Sequence, residues 1–531
     1  MKRIRKYYPY LDRYEIIYWL FILSLAITGI LILRYMTPYG LGMVNDSVGY
    51  IAGARNILAG NGYSRYSGEW KVIPITNFPP LFSYTIAFIS LFGLEAIRAS
   101  RLLILLCFAA NIILFSSVAR LLTKSKLFGG FSALMFIVLE PILRLHTYAL
   151  TEPLYLVIMF LFFIASYFYL RYRRWYWIAI CGILSCAAFL TRIIGATLFG
   201  VFILILIIVP NPISKRFSNF ALYLLFALPG VVWWLVRNRV VSGNSLNRQL
   251  IYHPIEFNKI QEGINNFWNW IMPNRIEVTS YPSFIAVISF FILIILIYVI
   301  FTIDSFIKLG FPKAPQSSTD IFRMIIGIHG LGYLMFLFLS LTFFDSSSIF
   351  EDRIILPFMI SLALIFITMI YKLWSNRRFL DKGFIIALLS LFIVIQIPDS
   401  VRTAKEFNGS GQGYLTWGWK NSETINVVSK LNHYAIYSNK PNAIYILADK
   451  PSYIITSPYN PATSQAREGY QETIAEIRKR VLAGEAIIVF FDYSYYKDHN
   501  NIQEYQWIFE LTEGLPILEE LYDGTIFGIA K

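Results

Sequence analysis

The chain has 531 residues, of which 56% are apolar and only 15% charged, and its formal net charge is +14. At a mean hydropathy of +0.56 it is far more apolar than the core of a water-soluble protein of this length requires, so the bilayer is its main solvent. The charge does not read as nucleic-acid binding, because lysines and arginines collect at the ends of apolar runs instead of forming one basic face.

In chain order, Lys2, Arg3, Arg5 and Lys6 precede a first apolar run, 16–33, which is too long for an ordinary cleaved signal and is followed by no small-residue cleavage site. Further basic clusters stand at Lys124 and Lys126, at Arg171, Arg173 and Arg174, at Lys215 and Arg216, at Lys308 and Lys313, and at Lys372, Arg377 and Arg378. Placing them all in the cytoplasm predicts spans near 16–34, 99–121, 127–145, 153–170, 175–190, 193–210, 218–236, 283–302, 322–343, 354–372 and 383–398. Eleven crossings leave the C-terminus outside. Segment 79–94 is apolar enough to span, but counting it would move Lys124 and the Arg171–Arg174 group outside, so it is predicted to be a juxtamembrane helix.

The fold class expected is therefore a polytopic α-helical membrane module, residues 1–398, followed by a small extracytoplasmic α/β domain, residues 399–531. In that tail 422–431 and 471–482 read as helices, and 443–447, 486–491, 517–521 and 525–529 as strands. The outer side carries two long loops, 35–98 and 237–282, and short turns at 146–152, 191–192 and 344–353. The inner side has only short basic turns. That asymmetry points to work done on the outer face. Cys107, Cys181 and Cys186 all lie in apolar runs and report nothing about redox compartment.

Within the first outer loop, Asn45-Asp46-Ser47 stands before Tyr50, Ala54, Ile57 and Leu58 at helical spacing, closed by Gly60-Asn61-Gly62. Asp46 is then either a cap for the free N–H groups of that helix or a carboxylate base at the membrane surface. Arg98 and Arg101 read either as snorkelling anchors or as ligands to substrate. Glu152 before Pro153 suits a helix N-terminus as well as a catalytic carboxylate. Arg192 sits in a two-residue turn with little room to escape. His146 reads as an interfacial hydrogen-bonding residue or a substrate contact, and Arg353 has Glu351 and Asp352 as neighbouring partners.

Asp46, Tyr50, Ala54, Gly60 and Gly62-Tyr63, then Asn77-Phe78-Pro79-Pro80-Leu81 and Arg98 to Arg101, together resemble the C-type glycosyltransferase superfamily. Within it the chain is most similar to the protein mannosyltransferase and lipid A aminoarabinose transferase branch. The pattern continues through His146-Thr147-Tyr148-Ala149-Leu150-Thr151-Glu152-Pro153, Leu190-Thr191-Arg192, Trp233-Trp234-Leu235-Val236-Arg237-Asn238, Arg353-Ile354-Ile355-Leu356-Pro357 and Tyr522-Asp523-Gly524-Thr525-Ile526-Phe527. Every one of these motifs falls on the face that the basic clusters alone place outside.

The resemblance implies transfer of a sugar from a polyprenyl-phosphate donor to a protein, lipid or polysaccharide acceptor, with inversion at the anomeric carbon. The residues supply parts for it. Arg192, Arg237 and Arg353 are candidates to hold the leaving phosphate, because a guanidinium fork matches phosphate oxygens in pairs. Asp46 would take the acceptor proton, and Glu152 would orient hydroxyls. Tyr50, Asn77, Arg98, Arg101, His146 and Asn238 are candidate substrate contacts. Two positions depart from the family pattern: Ser47 stands where mannosyltransferases often have a second acidic residue, and Asn77-Phe78 replace the charged residues that aminoarabinose transferases carry before the proline pair. Neither named activity is therefore inherited, and no carboxylate–histidine cluster assigns a divalent cation. Asn45-Asp46-Ser47 and Asn408-Gly409-Ser410 match the N-glycosylation acceptor pattern, and a glycan beside the base would obstruct it, which favours a prokaryotic plasma membrane. The alternatives are a transporter or flippase of a lipid-linked or anionic substrate, whose charges would line a path through the midplane, and a scaffold, which would leave Asp46, Arg192 and Arg237 without a purpose.

Overall fold

The computed structural model describes residues 13–209, 211–246, 250–272, 281–310, 318–344, 350–376, 379–432, 434–460, 465–499, 502 and 505–530. The chain opens with α1 (Arg13–Met36), α2 (Asn45–Leu58), the hairpin β1 (Ser64–Ser67) and β2 (Lys71–Pro74), and α3 (Leu81–Ser90). A bundle follows: α4 (Ala96–Thr123), α5 (Lys126–Val138), α6 (Glu140–Leu145), α7 (Glu152–Tyr172), α8 (Trp175–Thr191), α9 (Ala196–Ile208), α10 (Ile213–Ser242), α11 (Phe257–Asn269), α12 (Tyr281–Gly310), α13 (Ser318–Phe343), α14 (Asp352–Ser375) and α15 (Phe379–Ser410). Among the described residues, eight helices are long and apolar enough to cross a membrane: α1, α4, α7, α10, α12, α13, α14 and α15. The protein is an integral membrane protein.

Three of the eleven expected spans fall on apolar helices of 17 residues or fewer. The run 127–145 breaks at Leu139, whose backbone is extended, and Pro141 starts the separate short helix α6 because it cannot donate the N–H that a continuous helix needs there. The run 193–210 begins as a 3-10 turn, Ile193–Gly195, and only then becomes α9, while α8 has 17 residues. Segment 79–94 contains a ten-residue helix, α3, too short to cross by the rise of an α-helix.

Burial separates central from peripheral helices. The apolar window of α7 is 72% buried, against 17% for α12 and α15, whose outward Leu, Ile, Val and Phe residues face the lipid that their exposure requires. Polar residues inside the bundle are bonded to one another: His329 Nδ1 donates to Ser361 Oγ (3.0 Å), and Nε2 of the same ring faces the Tyr155 hydroxyl (3.4 Å). Glu140 of α6 accepts from Arg144 (2.6 Å) and from Thr403 of α15 (3.0 Å).

α15 continues through Pro398 to Ser410, so the expected boundary at 398 falls inside one unbroken helix. Beyond it come α16 (Trp417–Lys420), α17 (Glu423–Lys430), β3 (Ala435–Ser438), α18 (Pro441–Ala448), β4 (Tyr453–Ile454), the small pair β5 (Tyr459–Asn460) and β6 (Gln465–Ala466), α19 (Tyr470–Leu482), β7 (Ala486–Phe491), α20 (Tyr493–Asp498), α21 (Gln506–Thr512), β8 (Ile517–Leu521) and β9 (Gly524–Phe527). Five strands form one sheet in the order β4-β3-β7-β9-β8, with β3 parallel to β4 and β7, and β9 antiparallel to β7 and β8. β7, Ala486 to Phe491, is buried at every position, as a central strand covered on both faces must be. Ile474, Ile477 and Val481 of α19 cover one face, and Ile425, Val428 and Ile444 of α17 and α18 the other. The strand expected at 443–447 is instead α18: Pro441 pre-sets the first helical turn, and from that helix Ile444 packs against the sheet while Tyr445 packs against α2. Asp523, in the β8–β9 turn, accepts from Ser422 and from Thr424 N (3.1 Å) and Oγ1 (2.7 Å), so it anchors the start of α17.

The hairpin of the first loop is clamped to this sheet. Glu69 accepts from Arg480 of α19 (2.9 Å) and from the Tyr453 hydroxyl (2.8 Å), and Gly68 lies where a Cβ would meet the Tyr453 ring. The Arg480 and Tyr453 hydrogen bonds hold the Glu69 carboxyl below its ordinary pKa. A depressed carboxylate contributes its stabilisation above the unfolded-state pKa and loses it as pH falls through the folded value. Hydrogen exchange of residues 64–74 is thus expected to accelerate as pH drops below the ordinary carboxylate range, after correction for intrinsic rates, and Glu69→Gln is expected to abolish that acid dependence.

Candidate active site

Four segments distant in sequence bring their charged residues to one place. Asp46 is the second residue of α2, whose N-cap is Val44 with no side-chain cap, so the carboxylate is not spent on capping although it lies in the first turn, where the helix dipole favours it. Its Oδ2 accepts from Arg353 Nη1 at 2.9 Å. Arg353, second residue of α14, also donates from Nε to Glu351 Oε2 at 2.6 Å, so one guanidinium bridges two carboxylates. Asp46 and Arg353 are each about one-third exposed, at 33% and 31%, and so are reachable from outside the fold.

The second pair is deeper. Glu152, first residue of α7, has only 2% of its side chain exposed and is bonded to Arg192 through Oε1. Arg192 also donates to Thr151 Oγ1 (3.3 Å). Arg192 ends α8 in extended conformation, and the chain doubles back through the turn Ile193–Gly195. That reversal needs Gly195, because a Cβ there would lie 2.4 Å from Ala188 backbone atoms. Burial opposes the positive charge on Arg192, but Glu152 outweighs it, and the guanidinium holds its proton more firmly than usual.

Tyr50, one turn after Asp46, is 5% exposed and packed on Phe78 (5.0 Å) and Phe82 (5.2 Å). Burial, then the charges of Asp46 and Glu152, push its phenol well above the ordinary range, with Arg192 pulling the other way. Tyr50 therefore stays neutral within the field of both ion pairs.

The loops that carry Asp46 and Glu152 are joined directly. Gly42 N donates to Thr147 O (2.8 Å), Ala149 N donates to Gly42 O (3.1 Å), and Gly42 pairs with Tyr148 as a short parallel bridge.

The remaining expected residues are placed differently. Arg237 donates to the carbonyls of Tyr63 (2.7 Å) and Ile75 and to Asn238 Oδ1 (3.0 Å), with its plane against Tyr63 and Trp234. Asn238 donates to Thr76 O (3.1 Å) and Ser245 O (3.2 Å). The two side chains thus fasten both ends of the β1–β2 hairpin to α10. Arg101 donates to Thr37 O (2.6 Å), capping the end of α1, while Arg98 and Asn77 are exposed. His146 is fully buried, with Nδ1 donating to Ile142 O (2.7 Å) and Nε2 accepting from Asn111 Nδ2 (3.2 Å). Burial lowers its pKa to about 4, so the ring is neutral and both nitrogens are used. Thr151 and Glu351, which sequence reading did not name as site residues, join the site. Both are polar neighbours of a charged residue in a short turn. Among the described residues no group of three or more His, Cys, Asp or Glu is arranged to hold a metal ion.

This bundle, with the α2–α3 segment packed against α4 and a tail seated on α2, shares its fold with solved structures of low sequence identity. No protein-family model and no curated protein matches the chain. Among solved structures it is similar to apo ArnT from Cupriavidus metallidurans, with a TM-score of 0.51 at 13% identity over 96% of this chain and 97% of that one. It is also similar to the archaeal oligosaccharyltransferase AglB from Archaeoglobus fulgidus, solved with an inhibitory peptide and a dolichol-phosphate, with a TM-score of 0.51 at 12% identity over 91% of this chain and 70% of that one.

Proposed function

We propose that this protein is a membrane glycosyltransferase that moves a sugar from a polyprenyl-phosphate-linked donor to a hydroxyl acceptor on the outer face of the membrane. The observation that carries this reading is the convergence of Asp46–Arg353 and Glu152–Arg192 from four segments at one site. Such charges near a bilayer are costly unless they do work. The shared fold with ArnT and with AglB, a protein solved with a dolichol-phosphate, supports it.

In the mechanism proposed, residues 1–398 with the remainder of α15 form the catalytic module, and the tail lies on the extracytoplasmic side of a prokaryotic plasma membrane. The donor phosphate draws Arg353 away from Asp46 and is held by Arg353 and Arg192, whose guanidinium forks match its oxygens. Arg237 and Asn238 act by holding the hairpin that walls the site. Asp46, released from its ion pair, accepts the acceptor's hydroxyl proton. The hydroxyl oxygen then bonds to the anomeric carbon as the bond from that carbon to the phosphate oxygen breaks, and the electron pair leaves on polyprenyl phosphate. Attack opposite the leaving group inverts the anomeric centre. Glu152 keeps Arg192 in place and orients it.

Arg353→Met tests the phosphate role separately from chemistry. Undecaprenyl phosphate, titrated into nanodisc-embedded protein, is expected to bind about 10- to 100-fold more weakly to the variant, the value of a charge-assisted hydrogen bond. Equal binding would remove Arg353 from the phosphate site.

A further inference from the structure

The start of α2 is not fixed by its own sequence. Val44 at the N-cap supplies no side-chain bond, and besides the Arg353 bond to Asp46 the first turn has polar contacts from the chain beyond α15. Asn45, the neighbour of Asp46, accepts through Oδ1 from the Tyr414 hydroxyl (2.7 Å) and from Asn442 Nδ2 of α18 (2.9 Å). The backbones join at the same place: Tyr414 N donates to Met43 O (2.8 Å), and Met43 pairs with Gly413 as a parallel bridge. Gly413 is required there twice over, since its φ is +53° and a Cβ would lie 2.2 Å from Met43 O. Further along α2, Val48 and Ala52 pack on Tyr445 of α18, so the tail follows this helix past its first turn.

Resting on the function proposed above, we infer that Tyr414 and Asn442 are positioning residues for Asp46, acting through Asn45. The tail sets where the base stands relative to Arg353 and the acceptor. Both hydrogen bonds are at the surface, so removing them leaves the buried sheet and bundle intact while freeing the first turn of α2. A base displaced by about 1 Å loses roughly 100-fold in rate.

The test uses the full chain in nanodiscs of phosphatidylethanolamine and phosphatidylglycerol, as wild type, Tyr414→Phe, Asn442→Ala, the double variant and Asp46→Asn. Two quantities are read: hydrogen exchange of residues 46–51, which needs no substrate, and kcat and KM for transfer from radiolabelled undecaprenyl-phosphate hexoses and pentoses. The expected result is faster exchange confined to the start of α2 and a kcat lower by about 10- to 100-fold in the double variant, with the donor KM unchanged. Wild-type exchange and kcat in the double variant, beside an inactive Asp46→Asn, would overturn the inference and leave the function standing. Faster exchange throughout the β3–β7–β9 sheet would also overturn it, by making the contacts merely structural. Full activity in Asp46→Asn would overturn the proposed function and this inference with it.

Discussion

Replacing Asp46 by asparagine is expected to lower transfer by about 10²- to 10⁴-fold, the contribution of a positioned general base, while the protein folds as before. Asparagine keeps the shape of the side chain, and its amide oxygen still accepts from Arg353. What it loses is the capacity to take a proton at neutral pH. The Asp46–Arg353 pair is about one-third exposed on both sides, so its loss changes stability by no more than about 1 kcal/mol. Size-exclusion profile and thermal unfolding of detergent-purified variant should therefore match wild type while turnover does not. A stable variant with wild-type turnover would exclude Asp46 as the base.

Glu152→Gln is expected to be costly in a different way. Glu152 is 2% exposed and Arg192 18%, so the substitution leaves a buried guanidinium without its counter-charge. Breaking a buried pair from one side costs about 3–5 kcal/mol, most of it the desolvation of the orphaned charge. Adding Arg192→Met removes that charge, so the double variant should regain much of the stability lost by Glu152→Gln while remaining unable to hold the donor phosphate. Denaturant unfolding of the two single variants and the double variant, combined as a thermodynamic cycle, measures this directly. If the double variant loses the sum of the two single losses, the residues are not coupled and the pair is not the unit described here.

The sequence made the membrane class legible because a length of apolar residues has one solvent it can satisfy. It left helix length less legible where a local break lay hidden in an apolar run. Pro141 and the extended Leu139 end α5, and the Ile193–Gly195 turn shortens α9. It also read 443–447 as strand, since a short apolar run has the same composition in either state and only the tertiary context, α18 lying on the sheet, decides.

Within the site, Asp46, Glu152, Arg192 and Arg353 were legible because a charge beside an apolar span demands a partner. Which partner each has was not legible. The sequence grouped Arg237 with Arg192 and Arg353 by residue type, whereas its hydrogen bonds go to hairpin carbonyls. Likewise the Asn45 contacts with Tyr414 and Asn442 left no sequence signal, because a half-buried tyrosine and asparagine in a tail carry no periodicity or charge that would tie them to the first loop.

The most direct measurement is release of undecaprenyl phosphate from radiolabelled undecaprenyl-phosphate sugars by the purified protein in proteoliposomes, with membrane extract as acceptor source, comparing wild type with Asp46→Asn. The account predicts that wild type transfers label from at least one donor to an extractable acceptor and that the variant, though folded, does not. Equal transfer by both proteins would contradict it.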